Sequence, residues 1–272
     1  MVSDPVQAMP SSSVEMSLMR SVVLWDFDGV LADTLEECYE VTRRTVEKEK
    51  EKLKAAVHGE EKENSENAAL LPYPFEEFAH DRPFCVNAAD FFCSYIARRK
   101  FGETTEKNMH EIHRRERPLI AGLDAEYYVQ RGLLAKEMGK KYHEWLAPYE
   151  GVLETVKQLK RRGAKQAVMT ARDSQSVREW ARHHKVEEVF QSFVGTEVSR
   201  ADRMVKQKQI HVLKERLGAG QYYFVDDIAH NLEVVHAVDP RIVPLFAAWG
   251  YGKRAPKIAK TVQSPAELLS RF

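Results

Sequence analysis

Apolar positions along this chain follow two different periods. Val22-Val23-Leu24-Trp25 is a short unbroken apolar run, the pattern of a strand buried on both faces. From Leu35 the period lengthens, because Leu35, Cys38, Tyr39, Thr42 and Val46 share one helical stripe that resumes at Leu53 and Val57. Glu47 to Lys52 alternates acid and base without a core position, which reads as a solvated helix face. The polar stretch 58–69 reads as a loop or a fraying helix end. Further helical stripes follow at Phe91, Phe92, Tyr95 and Ile96, then at Tyr128, Arg131, Leu134, Met138, Tyr142 and Trp145.

After Pro148-Tyr149-Glu150-Gly151 the pattern alternates between strand and helix. It predicts a helix over 152–162, a buried strand over 166–170 and a helix over 174–184. A strand over 190–195, a helix over 203–217, a strand over 222–225 and a last strand over 242–246 complete it. Strands separated by helices imply right-handed crossovers and a parallel sheet covered on both faces, with ligands bound at the carboxyl ends of the strands. The expected fold is α/β, a three-layer Rossmann-like parallel-sheet core over 21–34 and 147–272 that carries an all-helical cap over 35–146. Residues 1–20, rich in Ser, Pro and Met and without periodicity, read as a flexible tail.

Composition narrows the function classes. At 272 residues the chain can bury a sizeable core, and 41 basic residues balance 41 acidic ones, so no electrostatic footprint for nucleic acid or an anionic membrane is present. No apolar run approaches the length of a membrane span, and the first twenty residues lack a signal-peptide core. Cys38, Cys85 and Cys93 show no metal-ligand or redox spacing and read as small buried residues of a cytoplasmic protein. His110 and His113 have ligand spacing but no third partner, which makes them a polar helix face.

The first strand ends in Asp26-Phe27-Asp28-Gly29. Two carboxylates one residue apart would share a side if the strand continued, and Gly29 lets the backbone turn sharply beside a ligand. One acid can attack phosphorus while the other hands a proton to the leaving oxygen, provided a hard cation such as Mg²⁺ offsets their repulsion. A strand ending in an Asp/Gly turn is the bland alternative. The full run Asp26-Phe27-Asp28-Gly29-Val30-Leu31-Ala32-Asp33-Thr34 resembles the first motif of the haloacid dehalogenase superfamily of phosphohydrolases. That resemblance implies Asp26 as the nucleophile that becomes aspartyl-phosphate and Asp28 as general acid and base. The second acid favours phosphatase or phosphomutase chemistry over dehalogenation. Thr34-Leu35-Glu36-Glu37 also has capping-box spacing, so Asp33 or Thr34 can start the next helix.

The resemblance extends to two further strand ends. Ala167-Val168-Met169-Thr170-Ala171-Arg172 is similar to the second motif, implying that the Thr170 hydroxyl and the Ala171 amide bind the transferring phosphoryl group. Arg172 is open to two readings, a substrate clamp or a solvent-facing side chain. Tyr222-Tyr223-Phe224-Val225-Asp226-Asp227 resembles the fourth motif, whose acids help bind Mg²⁺. Asp227 takes the usual ligand position and Asp226 stands where Gly is frequent; Asn231 falls where many members carry an acid, as a supporting residue or a helix cap. The implied metal contacts are Asp26, the backbone carbonyl of Asp28, and Asp227, with Asp226 assisting. The family also supplies a Lys from the preceding helix; Lys206 at its beginning is favoured over Lys208 and Lys214, because Ile210 and Leu213 occupy the buried stripe.

These implications lead to a Mg²⁺-dependent phosphatase of a small phosphorylated metabolite. A phosphomutase or a non-catalytic phospho-ligand-binding protein is the alternative. The core also resembles phosphoglycolate phosphatases, with Trp249-Gly250-Tyr251 and Ser264-Pro265-Ala266-Glu267-Leu268 fitting that ending. Within the helical insertion, Arg82, Arg98, Arg99, Arg114, Arg115 and Arg131 are the cationic candidates for a substrate carboxylate or second phosphate. His230, near the proposed metal acids, is read as a surface or capping residue, and Trp249, Tyr251 and Lys253 as residues shaping the site mouth.

Overall fold

Strand β1 (Ser21–Trp25) is fully buried, as an apolar run without alternation requires. In this computed structural model residues 21–58, 73–198 and 205–272 are described. The tail read over 1–20, most of the loop read over 58–69, and the helix start placed at 203 lie outside the described residues. Helices α1 (Leu35–Lys48), α2 (Lys50–His58), α3 (Phe75–Asp81), α4 (Ala88–Phe101), α5 (Glu106–Arg115), α6 (Arg117–Met138) and α7 (Lys141–Trp145) follow β1. The charged run falls where α1 gives way to α2: Lys50 pairs with Glu47 at 3.0 Å and Lys52 with Glu49 at 2.5 Å, while Lys48 reaches across to Glu126 of α6 at 2.7 Å.

From Gly151 the chain alternates. Helix α8 (Val152–Arg161), strand β2 (Lys165–Met169), helix α9 (Ser174–His183), strand β3 (Ser192–Val194), helix α10 (Val205–Leu217), strand β4 (Gln221–Asp226), helix α11 (Ala229–Val238) and strands β5 (Val243–Ala247) and β6 (Lys260–Val262) complete the order. All neighbours pair parallel in the sheet β3-β2-β1-β4-β5-β6. The strand expected to be last is followed by one more, because β6 is three residues of edge strand, two of them exposed, and carries too little apolar pattern to register. Helix α11 is not announced by the apolar pattern, its buried face holding only Asn231, Leu232 and Val235.

Strand alternation divides the core into two layers. Val23, Trp25, Val168 and Val225 pack against Val156 and Leu159 of α8 and Val177 and Trp180 of α9, in a cluster that runs on into the helical insertion. Val22, Leu24, Ala167, Met169 and Phe224 face Ile210 and Leu213 of α10 and Leu232 and Val235 of α11. The three-layer α/β reading is therefore the observed architecture.

The insertion has its own organising centre. Asp81, buried at the end of α3, accepts hydrogen bonds from Ser94 Oγ at 2.8 Å, Thr104 Oγ1 at 2.6 Å and Arg98 Nε at 2.9 Å. Arg98, a candidate for substrate binding, is thereby committed to a structural ion pair. Asp90 closes a capping box with Asn87 at the start of α4. The two connectors between core and insertion run side by side: Asp33 N donates to Ala147 O at 2.8 Å and Tyr149 N to Leu31 O at 3.3 Å, with Ala32 bridged to Pro148.

Candidate active site

Strands β1 and β4 are neighbours in parallel register, so their terminal acids emerge together. One carboxylate oxygen each of Asp26, Asp226 and Asp227 lie within 4.8 Å of one another, and all three residues are buried. Lys206, at the start of α10 and 3 % exposed, donates to Asp26 Oδ1 at 2.8 Å and stands 3.6 Å from Asp226 Oδ2. It also donates to the carbonyl of Met169, which aims it at the strand ends. Lys208 is exposed two residues on. Lys214 pairs with Asp239 at the other end of the helix.

The two fourth-motif acids face different partners. Asp226 accepts Ile228 N at 2.8 Å and Asn231 Nδ2 at 3.0 Å, so it holds the start of α11 while remaining beside Asp26. Asn231 thus supports Asp226. Asp227 Oδ2 accepts Tyr251 N at 2.6 Å and Gly252 N at 3.3 Å, whereas its Oδ1 is buried with no hydrogen-bond partner among the described residues. The surrounding glycines are obligatory for space: a Cβ on Gly252 would stand 1.7 Å from Asp227 O, and one on Gly29, whose φ is +85°, would stand 2.5 Å from Asp227 Oδ2.

Burial, reinforced by Asp26, pushes the Asp227 carboxyl up to about 7, against the pull of Arg82. Burial likewise raises Asp226 well above the carboxylate range, with Asp26 adding to it and Lys206 opposing it. Three carboxylates served by one lysine, with an orphaned oxygen on Asp227, form a hard-oxygen donor set that fits a divalent cation such as Mg²⁺.

Thr170 and Ala171 follow β2 at the same edge. The Thr170 hydroxyl, 1 % exposed, accepts Arg172 N at 3.0 Å and keeps its own proton for a ligand. Gln209 Nε2 holds the Thr170 carbonyl at 2.6 Å. The carbonyl of Ala171 accepts the Tyr128 hydroxyl at 3.3 Å, a contact from the helical insertion.

Asp28 departs furthest from the sequence reading. Because β1 ends at Trp25 and Gly29 turns the backbone, Asp28 does not join the three-acid cluster. Its Oδ1 accepts Thr34 Oγ1 at 2.7 Å, Arg172 Nη2 at 2.7 Å and Arg172 Nε at 3.2 Å. Arg172 is 1 % exposed, so neither the solvent-facing reading nor a free substrate clamp describes it. It bridges Asp28 to Glu37, meeting Glu37 Oε2 at 2.8 Å, and Glu37 in turn takes Arg131 Nε at 2.8 Å and the Tyr142 hydroxyl at 2.7 Å. Arg131, offered as a substrate cation, is thereby neutralised. The capping box expected at Thr34 and Glu37 does not form: Thr34 makes no side-chain cap bond, and Asp33 Oδ1 instead accepts Leu35 N at 3.1 Å.

This chain of charges sets protonation. Burial works against the charge on Glu37, but Arg131 and Arg172 outweigh it and bring its carboxyl down to about 2. Asp28 is likewise held far below the carboxylate range, burial again being overridden by Arg172. Glu37 was not among the expected site residues; the signal available was an acid on the same buried stripe as Cys38, Val41 and Thr42.

At the mouth, the Tyr251 hydroxyl accepts Thr34 N at 2.6 Å and donates to Asp33 Oδ1 at 2.9 Å, while Trp249 Nε1 donates to Val30 O at 3.0 Å. Both aromatics therefore tie the loop after β5 to the first motif. His230 and Lys253 are exposed.

The sequence matches the profile of the haloacid dehalogenase-like hydrolases over residues 21–239. The chain belongs to that family. No protein of curated function matches it by sequence. Among solved structures, a predicted phosphoglycolate phosphatase from Haemophilus somnus superposes with a TM-score of 0.62 at 16% identity, over 93% of this chain and 98% of that one. A putative phosphoglycolate phosphatase from Lactobacillus plantarum gives 0.61 at 12% identity, over 93% and 99%. CbbY from Rhodobacter sphaeroides, solved with xylulose-1,5-bisphosphate, gives 0.58 at 15% identity, over 92% and 96%. At these identities the likeness is one of fold. No helix among the described residues is long and apolar enough to cross a membrane.

Proposed function

We propose that this hydrolase is a Mg²⁺-dependent phosphatase of small phosphorylated metabolites that works through an aspartyl-phosphate. The observation that carries the reading is Asp26, buried at the end of β1, ion-paired to Lys206 at 2.8 Å and facing Asp226 and Asp227 across a gap fit for a cation. Asp26, Asp227 and the backbone carbonyl of Asp28 would hold Mg²⁺, with Asp226 in support. When bound, the cation supplies positive charge to the phosphoryl oxygens.

In the first step a carboxylate oxygen of Asp26 attacks phosphorus and the bond to the leaving oxygen breaks. Lys206, the Thr170 hydroxyl and the Ala171 amide compensate charge on the non-bridging oxygens. Asp28 gives its proton to the departing alcohol. In the second step Asp28 takes a proton from water, which attacks phosphorus, and the bond to Asp26 breaks to release inorganic phosphate. The pairing with Arg172 keeps Asp28 ionised, which suits the base step as it stands. The acid step draws on the substrate itself, since a phosphoryl dianion beside Asp28 raises its proton affinity.

Helices α1 to α7 sit over this edge of the sheet as a cap would, through Tyr128 on Ala171 and Glu37 on Arg172. A lid of this kind excludes water and reads the leaving group. Substrates named for the structural neighbours, phosphoglycolate and a pentulose bisphosphate, belong first in a screen of phosphomonoesters for phosphate release with Mg²⁺. Wild-type release that disappears in Asp26→Asn supports the reading. Isomerisation of a sugar phosphate without net phosphate release would make the enzyme a mutase instead.

A further inference from the structure

Beside Asp28 the cap and core enclose a cavity of about 30 Å³, whose walls include Asp28, Arg82, Phe91, Tyr127, Arg131 and Arg172. Three of those six side chains are guanidiniums. Two are spent: Arg172 on Asp28 and Glu37, Arg131 on Glu37. Arg82 is different. It is 6 % exposed, it has no ion pair with any carboxylate among the described residues, and its Nε is buried without a hydrogen-bond partner. Its one hydrogen bond among the described residues goes from Nη1 to the carbonyl of Cys85 at 2.8 Å. The guanidinium stacks 4.6 Å from the ring centre of Tyr251 and 5.5 Å from that of Phe91. Its position is therefore fixed between the core's site mouth and the cap.

A buried cation with an unused donor costs stability unless a ligand completes it. Arg82 is thus the one guanidinium lining this cavity that has no ion pair among the described residues. The cavity is also small: at roughly 10–15 Å³ per water, it admits about two oxygen atoms. Two oxygens on one planar group, facing a planar guanidinium, describe a carboxylate better than a phosphate with its sugar.

We propose that Arg82 is the specificity-determining residue of this site and that it receives a carboxylate borne by a short leaving alcohol. The substrate class is a phosphomonoester of a small hydroxy acid, spanning from Asp28 at its bridging oxygen to Arg82 at its acid end. This rests on the phosphatase reading for the identity of the phosphoryl end, while the carboxylate end rests on the cavity alone.

The test separates the two. Binding is measured calorimetrically, with Mg²⁺, on the Asp26→Asn protein, using phosphoglycolate and ethyl phosphate, which keeps the phosphoryl group and lacks the carboxylate. Phosphoglycolate should bind at least about tenfold more tightly, the range for a charge-assisted hydrogen bond. Adding Arg82→Gln should bring the two ligands to within about twofold, by loss of that same interaction, and Arg82→Lys should restore part of the difference. Equal affinities in the Arg82 protein overturn the proposal without any variant of Arg82 having to fold. Tighter binding of a pentulose bisphosphate than of phosphoglycolate overturns the choice of carboxylate. A retained carboxylate preference in a wild-type protein that releases no phosphate from any monoester would sink the phosphatase reading and leave the Arg82 assignment standing.

Discussion

Replacing Arg172 by Gln removes the only cation among the described residues that Asp28 contacts directly, and one of the two that serve Glu37. Arg172 is 1 % exposed and reaches Asp28 and Glu37 at 2.7 and 2.8 Å, so its loss leaves a buried carboxylate facing a neutral amide. Removing one partner of a buried pair costs about 3–5 kcal/mol. At roughly 2–4 °C per kcal/mol for a domain of this size, the melting temperature should fall by about 6–20 °C.

The same interaction has a pH signature. Glu37 in the folded chain is brought from 4.5 down to about 2, so the unfolded state binds the proton first as pH falls. The stabilisation, about 3 kcal/mol from this one group, is complete above pH 4.5 and is lost as pH drops towards 2. Arg172→Gln should therefore be most costly at pH 7, and its cost should shrink between pH 5 and pH 3. Urea unfolding at a series of pH values measures both. Adding Glu37→Gln to Arg172→Gln should recover at least about 1 kcal/mol relative to additivity, because the two residues share one network. A loss below about 1 kcal/mol at pH 7, far under the range for a broken buried pair, would refute the reasoning. So would a loss that stays constant down to pH 3.

Further outcomes follow from other contacts. Lys206→Met should lower kcat by about 10²–10³ in a phosphate-release assay, the range for deleting one charge-stabilising group, while circular dichroism stays unchanged. Gly252→Ala should weaken Mg²⁺ binding, read by calorimetry, and lower the melting temperature, since its Cβ would stand 1.7 Å from the Asp227 carbonyl oxygen. Asp81→Ala should destabilise the insertion by about 3–5 kcal/mol, seen as faster proteolysis around α3 and α4, because it strands Arg98 and two hydroxyls. Chelation of divalent cations should abolish phosphate release and Mg²⁺ should restore it, in keeping with an Asp227 Oδ1 that has no hydrogen-bond partner among the described residues.

The sheet and its acid-bearing strand ends were legible because buried parallel strands are written in unbroken apolar runs that stop abruptly at charge. The helical insertion was legible through its stripes, and Phe91, Phe92, Tyr95 and Ile96 are indeed buried together. What escaped were features whose meaning depends on a distant partner. Glu37 has the right spacing from Thr34 for a local cap, yet Arg131 and Arg172, 94 and 135 residues away, take it into the interior. Arg131 looked available for substrate for the same reason. No periodicity reveals that a guanidinium meets a carboxylate across two elements. Asp28 illustrates the converse, since alternation placed it beside Asp26 only while the strand lasted, and Gly29 ended it.

One feature of the connectors bears on how such a protein can change. Leu31 to Asp33 and Ala147 to Tyr149 are hydrogen-bonded to each other where the chain leaves and rejoins the sheet. To the sheet, everything between them is a single closed loop, and loop-closure entropy grows only logarithmically, about 0.6 kcal/mol for each doubling of length. Helices can accordingly be lengthened, shortened or exchanged there at little thermodynamic penalty to the acids they shelter. Selectivity in this architecture is cheap to revise, whereas the bond-breaking centre is not.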